Sequence, residues 1–227
     1  MENNNEDAIS LIENVILFIE ENKLARNSFD ELIKKFTDSP KNNSLIIPFK
    51  KNIFNSIKYP KLEIAFSKED VEKLKGITNI SGELNEAVRS SNDIYLKLLY
   101  SIAWKQGNLT KLDSIIHGIT DNSDKSKTGS TFKAFGKHLR DRSNPIIDQH
   151  VMRAYLAIQA LKDPKQNLLA IRQLKDNFID KKHKEIENYK TWLNNLYQSE
   201  IHEGNMDFFY YADQILFTLG KTIKLKK

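Results

Sequence analysis

Apolar residues recur along most of this chain at spacings of three and four, the period of a helix with one buried face, and almost nowhere alternate as they do in strands. Ile9, Ile12, Ile16 and Ile19, flanked by Leu11, Val15 and Phe18, predict a first helix with a wide apolar face. Ser28 with Glu31 three residues on predicts a capped second helix that stops before Pro40. A helix is expected over residues 45–59 with Pro48 in its first turn, and Ser67 to Asp70 opens another that Gly76 ends. A polar helix over 83–89 leads into an apolar one over 93–106, and Leu109, Leu112, Ile115, Ile116 and Ile119 give the next helix a single apolar face. Residues 121–129, built from Asn, Ser, Asp, Lys, Thr and Gly, form the clearest loop. A basic helix over 131–142, a helix from Asp148 to just before Pro164, and three more over about 165–179, 182–197 and 206–219 complete the chain. No fixed-period repeat is present. The expected fold is all-α, a compact multi-helix protein.

At 227 residues the chain can bury a core as one domain, 1–227, with lobes expected at 1–90 and 91–227. It holds no cysteine, which excludes disulfides, thiolate metal sites and a cysteine nucleophile. The five histidines never approach a His-Glu-x-x-His spacing, and no phosphate-binding Gly-Lys-Ser loop or dinucleotide fingerprint occurs. No metal and no cofactor are therefore expected. The N-terminus is acidic, and its apolar run is far too short to cross a bilayer, so a soluble, cytoplasmic protein without a membrane partner is expected. The pattern fixes no oligomeric state. Phe208 to Tyr211 invite base stacking, but Ile215, Leu216 and Leu219 continue the helix and favour a core role.

Charge is unevenly placed. Residues 1–31 carry eight acids against Lys23 and Arg26, whereas 125–142 carry Lys125, Lys127, Lys133, Lys137, Arg140 and Arg142 against Asp141 alone. This basic segment runs directly up to Asn144-Pro-Ile-Ile-Asp148-Gln-His150-Val-Met-Arg153. In that stretch Pro145 imposes an extended approach, Ile146 and Ile147 anchor it, and Asp148 stands just before Val151, Tyr155 and Ile158 at helical spacing. The spacing makes Asp148 an N-cap, a role worth about 1 kcal/mol.

The wording Ile147-Asp148-Gln149-His150-Val151-Met152-Arg153 resembles the Val-Asp-Thr-His-Val-x-Arg segment of the helix-hairpin-helix DNA glycosylase superfamily. Phe132-Lys133 followed by Pro145-Ile-Ile-Asp148 resembles the branch of 8-oxoguanine glycosylases within it. The resemblance implies a two-lobed all-α fold, double-stranded DNA as partner, and cleavage of the N-glycosidic bond of a damaged or mismatched base. It makes Asp148 the catalytic carboxylate and Lys133 the candidate nucleophile. Lys125, Lys127, Lys137, Arg140, Arg142, His150 and Arg153 would contact DNA, and Trp104, Phe132, Phe135 or Tyr155 would wall the base pocket. A fixed anion suits that chemistry because the departing base leaves oxocarbenium-like charge on the sugar. The alternative is a non-enzymatic helical module that binds nucleic acid or protein, in which Asp148 serves only as a cap.

Overall fold

The structure, a computed structural model, describes residues 2–38, 43–54, 61, 64–76, 80–107, 109, 111–121, 129–163, 165–175, 178–181, 183–204 and 206–225. These form helices and turns, with no strand among the described residues. The helices are α1 (Glu2–Glu21), α2 (Ser28–Asp38), α3 (Ile46–Lys51), α4 (Lys68–Lys75), α5 (Ile80–Ser90), α6 (Ile94–Lys105), α7 (Lys111–Thr120), α8 (Ser130–Arg140), α9 (Gln149–Lys162), α10 (Leu168–Arg172), α11 (His183–Leu196), α12 (Gln198–His202) and α13 (Asp207–Thr222), with a 3-10 turn at Phe178–Lys181. Among the described residues, no helix is long and apolar enough to cross a membrane.

The chain divides into two compact units, residues 1–62 with 145–227 and residues 63–144. This differs from the lobes expected at 1–90 and 91–227. The reason is that α1, at the start of the chain, packs on α9 and α13 near its end, a pairing that hydrophobic periodicity cannot show.

Unit 1 is built around α9. Every residue from Val151 to Ile158 is buried, as expected of a helix with neighbours on all sides. α13, α10, α1, α11 and the 3-10 turn pack on it. α13 approaches closest, because a Cβ at Gly220 would lie 1.8 Å from the carbonyl oxygen of His150. The expected core reading of Phe208 to Tyr211 divides. Phe208 and Phe209 are buried, while Tyr210 and Tyr211 line a cleft of about 500 Å³ with Arg26, Phe54 and Gln214.

Local corrections have local causes. Ser28 lies inside the first turn of α2, where its Oγ accepts the Ala25 amide at 2.8 Å, and Glu31 pairs instead with the Asn27 side chain. The helix over 45–59 is confined to α3 and ends at Asn52, while residues 55–60 lie outside the described set. The single helix expected over 165–179 breaks after Arg172. Two carbonyls that would carry its ladder onward are taken by tertiary partners: that of Arg172 accepts the Leu225 amide at 3.0 Å, and that of Leu174 accepts Arg153 Nη2 at 2.9 Å.

Unit 2 contains α4 to α8. Ser67 and Asp70 make a full capping box at the start of α4, as the sequence indicates. α7 and α8 form a helical hairpin whose crossing is set by two glycines. A Cβ at Gly118 would lie 2.1 Å from the Lys133 carbonyl, and one at Gly136 would lie 2.0 Å from that of Ile115. Only residues without a side chain allow this approach.

Candidate functional site

Asp148 closes an extended segment with φ −125° and ψ 155° and caps α9, its Oδ1 accepting the His150 amide at 2.6 Å. The half-buried carboxylate therefore sits at the positive end of a helix dipole, an arrangement that favours an anion. His150, two residues on, turns its ring edge-on to Phe217 with centroids 5.0 Å apart. Its Nδ1 lies 3.0 Å from Arg153 Nη1, and since a guanidinium only donates, Nδ1 is the acceptor.

Arg153 is wholly buried. Nη2 donates to Leu174 O, Nη1 reaches Gly220 O at 3.4 Å, and the guanidinium lies 5.5 Å from the centre of the Phe178 ring. The phosphate contact expected of Arg153 is thus replaced by an internal role. Beside it, buried Arg172 donates from Nε to Ile223 O at 2.9 Å and from Nη1 to Asn5 Oδ1 at 3.1 Å. Gly220 and Ile223 belong to the last turn and cap of α13, so the two guanidinium groups satisfy carbonyls that the helix leaves open and complement its dipole.

Asp213, also on α13, was not among the expected site residues. It is buried and accepts the Tyr189 hydroxyl at 3.1 Å. Burial holds its carboxyl well above the usual carboxylate range, and the charge of Asp148 raises it further. Burial likewise raises the Tyr189 hydroxyl. The sequence carried a signal for Asp213: Phe209, Asp213 and Leu216 share one face of an otherwise apolar helix, and a lone acid there needs a partner.

The remaining expected residues are distributed as follows. Tyr155 is buried in an aromatic cluster, 5.3 Å from Tyr189 and 5.6 Å from Trp192 between centroids, and its edge contributes to a cleft of about 580 Å³ bordered by Gln159, Gln166, Asn167 and Asn188. Asp148 lines neither this cleft nor the one at Tyr210. Lys133 belongs to unit 2, so the two expected catalytic residues fall in different units. Lys133 and Lys137 are half-buried on α8, four residues apart and so on one face. Phe132 of α8 packs under Lys111 with Nζ 5.0 Å from the ring centre. Arg140 pairs with Asp121 at 3.6 Å across an exposed surface. Lys125 and Lys127 lie outside the described residues, as does the side chain of Trp104.

Arg142 is engaged within unit 2. Its Nη2 donates to Ile64 O at 2.6 Å and its Nη1 to His138 Nε2 at 3.1 Å. His138 Nδ1 is 2.6 Å from Asn144 O and must donate to it, which fixes the neutral tautomer with Nε2 as acceptor. Burial pushes the His138 pKa down, consistent with that neutral state. At the other end of α8, Gly129 is the N-cap in the left-handed region at φ 75° and supplies no side chain to the first-turn amides.

No family model, no curated protein and no solved structure matches the chain, so any functional reading rests on these residues themselves.

Proposed function

We propose that the protein is a DNA glycosylase-like enzyme in which Asp148 stabilises positive charge developing on a deoxyribose as a damaged or mismatched base departs. The observation that carries this reading is the Asp148 carboxylate, held at the N-terminus of α9 by the His150 amide after an extended, Pro-led approach. A fixed anion in that setting costs little reorganisation when charge appears, which is the basis of electrostatic catalysis. On this reading unit 2 supplies the DNA grip, from Lys133, Lys137 and Arg140 on α8 and from the α7–α8 hairpin. Lys133 serves as the amine nucleophile if the reaction passes through a Schiff base.

A second reading, a non-enzymatic nucleic-acid- or protein-binding module, is favoured by one observation: the same hydrogen bond from His150 is all that a structural cap requires. Asn caps a helix as well as Asp but carries no charge, so Asp148→Asn separates the two. Purified protein is incubated with duplexes bearing uracil, 8-oxoguanine or mismatches, and abasic sites are scored. Base release that Asp148→Asn abolishes with an unchanged melting temperature supports catalysis. Binding that falls steeply with salt and is indifferent to Asp148→Asn, without base release from any duplex, supports the module. Borohydride trapping of a covalent complex, lost in Lys133→Gln, tests the nucleophile.

A further inference from the structure

α6 is the most apolar helix of unit 2 and the least covered. Ile94, Tyr95, Leu98, Leu99 and Ile102 are 69, 72, 59, 65 and 48% exposed. Among the side chains described, Leu96, Tyr100 and Ala103, at spacings of four and three, turn inward, where α6 packs on α5. The exposed five recur at i, i+1, i+4, i+5 and i+8, which makes one continuous stripe along a helix of about 18 Å. Monomers do not ordinarily leave such a patch open to water.

We propose that this stripe is the interface of a symmetric antiparallel homodimer, formed by α6 of one copy against α6 of a second. Three features select a second copy as occupant. The stripe is largely self-complementary about a two-fold axis between Leu98 and Leu99: that axis sets Leu98 against Leu99 of the second copy and Tyr95 against Ile102 of the second copy, which matches four of the five exposed side chains apolar on apolar. The same pairing sets the two helix dipoles antiparallel. The area is also sufficient. At roughly 100–150 Å² per side chain the five offer about 600 Å² per copy. A pair therefore buries up to about 1,200 Å², the low end of specific interfaces, where association is reversible. Base release by the protein is not needed for this assignment.

Sedimentation velocity on the full chain, over about 1–100 µM, reads the mass directly. The expected result is a concentration-dependent doubling that Leu98→Glu with Leu99→Glu removes, weakening association at least about twentyfold, with an unchanged melting temperature. Because the chain contains no cysteine, introduced cysteines report only on the pairing. Tyr95→Cys protein mixed with Ile102→Cys protein should form the mixed disulfide in preference to either homodisulfide. A chain that stays monomeric throughout the range overturns the proposal, as does a dimer that survives the double glutamate variant. A preference for the Tyr95→Cys homodisulfide indicates parallel packing and overturns it too. A fall in melting temperature with no change in mass would mean that the stripe is covered within one chain, which is equally fatal.

Discussion

Unit 1 and unit 2 are both helical, yet they bury apolar side chains to different degrees. Among the described residues, Val71, Ile119 and Leu139 are the buried apolar side chains of unit 2, whereas unit 1 buries long runs of α1, α9 and α13. Unit 1 can therefore enclose costly polar groups, Arg153, Arg172 and Asp213, because its core excludes water from their partners. Unit 2 relies on close backbone approach, at Gly118 and Gly136, and on the His138–Arg142 linkage, while the apolar stripe of α6 stays outside. The contrast teaches where each unit is vulnerable: unit 1 through its buried polar partners, unit 2 through the fit of its hairpin.

The largest effect is expected in unit 1. Arg153→Ala leaves the carbonyls of Leu174 and Gly220 without their donor and opens a cavity beside Phe178, at a cost of about 3–5 kcal/mol. The chain has two tryptophans, Trp104 in unit 2 and Trp192 in unit 1. Urea unfolding followed by fluorescence in a Trp104→Phe background therefore reports on unit 1. A loss below about 1 kcal/mol would show that the guanidinium contributes little beyond filling space.

A smaller effect is expected in unit 2. Gly136→Ala gains about 1 kcal/mol of helix propensity but drives a Cβ into the Ile115 carbonyl, a backbone atom that cannot rotate away. The net loss should be about 2 kcal/mol. Hydrogen exchange should accelerate across α7 and α8 and leave α9 and α13 protected. Equal acceleration in both units would mean that they unfold together, which erases the contrast.

The sequence made the helices of both units legible through apolar periodicity, as in α1 and α13, or through a capping residue, as in α4 and α9. It failed where tertiary partners draw on the backbone. The break after Arg172 depends on Arg153 and Leu225, both remote in sequence, and the division at residues 62 and 144 depends on α1 finding α9. At the candidate site, the capping role of Asp148 was readable because it is local, set by the two residues that follow. Arg153 was misplaced for the opposite reason. Its spacing from Asp148 resembles a functional motif, but its burial is decided by α13 and the segment at Leu174. At Asp213 the local pattern showed an acid on an apolar face, but its partner Tyr189 lies 24 residues away and no local window names it.

The subtlest test of the contrast is the sign of the pH dependence in each unit. Asp213 has its folded-state pKa raised above the ordinary 3.8 by burial and by Asp148, so the folded state holds a proton that the unfolded chain releases. Its effect on stability is then favourable at low pH and is lost as pH rises from about 3.8 through the folded-state value. His138 is shifted the other way. Its folded-state pKa is lowered below the ordinary 6.5, chiefly by burial, so the unfolded chain binds the extra proton and stability is lost as pH falls below 6.5 toward the folded-state value. Acidification from neutral pH should therefore weaken unit 2 through His138 while relieving unit 1 at Asp213. Asp213→Asn should flatten the unit 1 component and raise its stability at neutral pH, because Asn can still accept the Tyr189 hydroxyl without carrying charge. His138→Gln should flatten the unit 2 component and leave unit 1 unchanged. Urea titrations from acid to neutral pH, read through Trp192 for unit 1 and Trp104 for unit 2, separate the slopes. Slopes of the same sign in both units, or slopes that survive both substitutions, would place the controlling protons elsewhere.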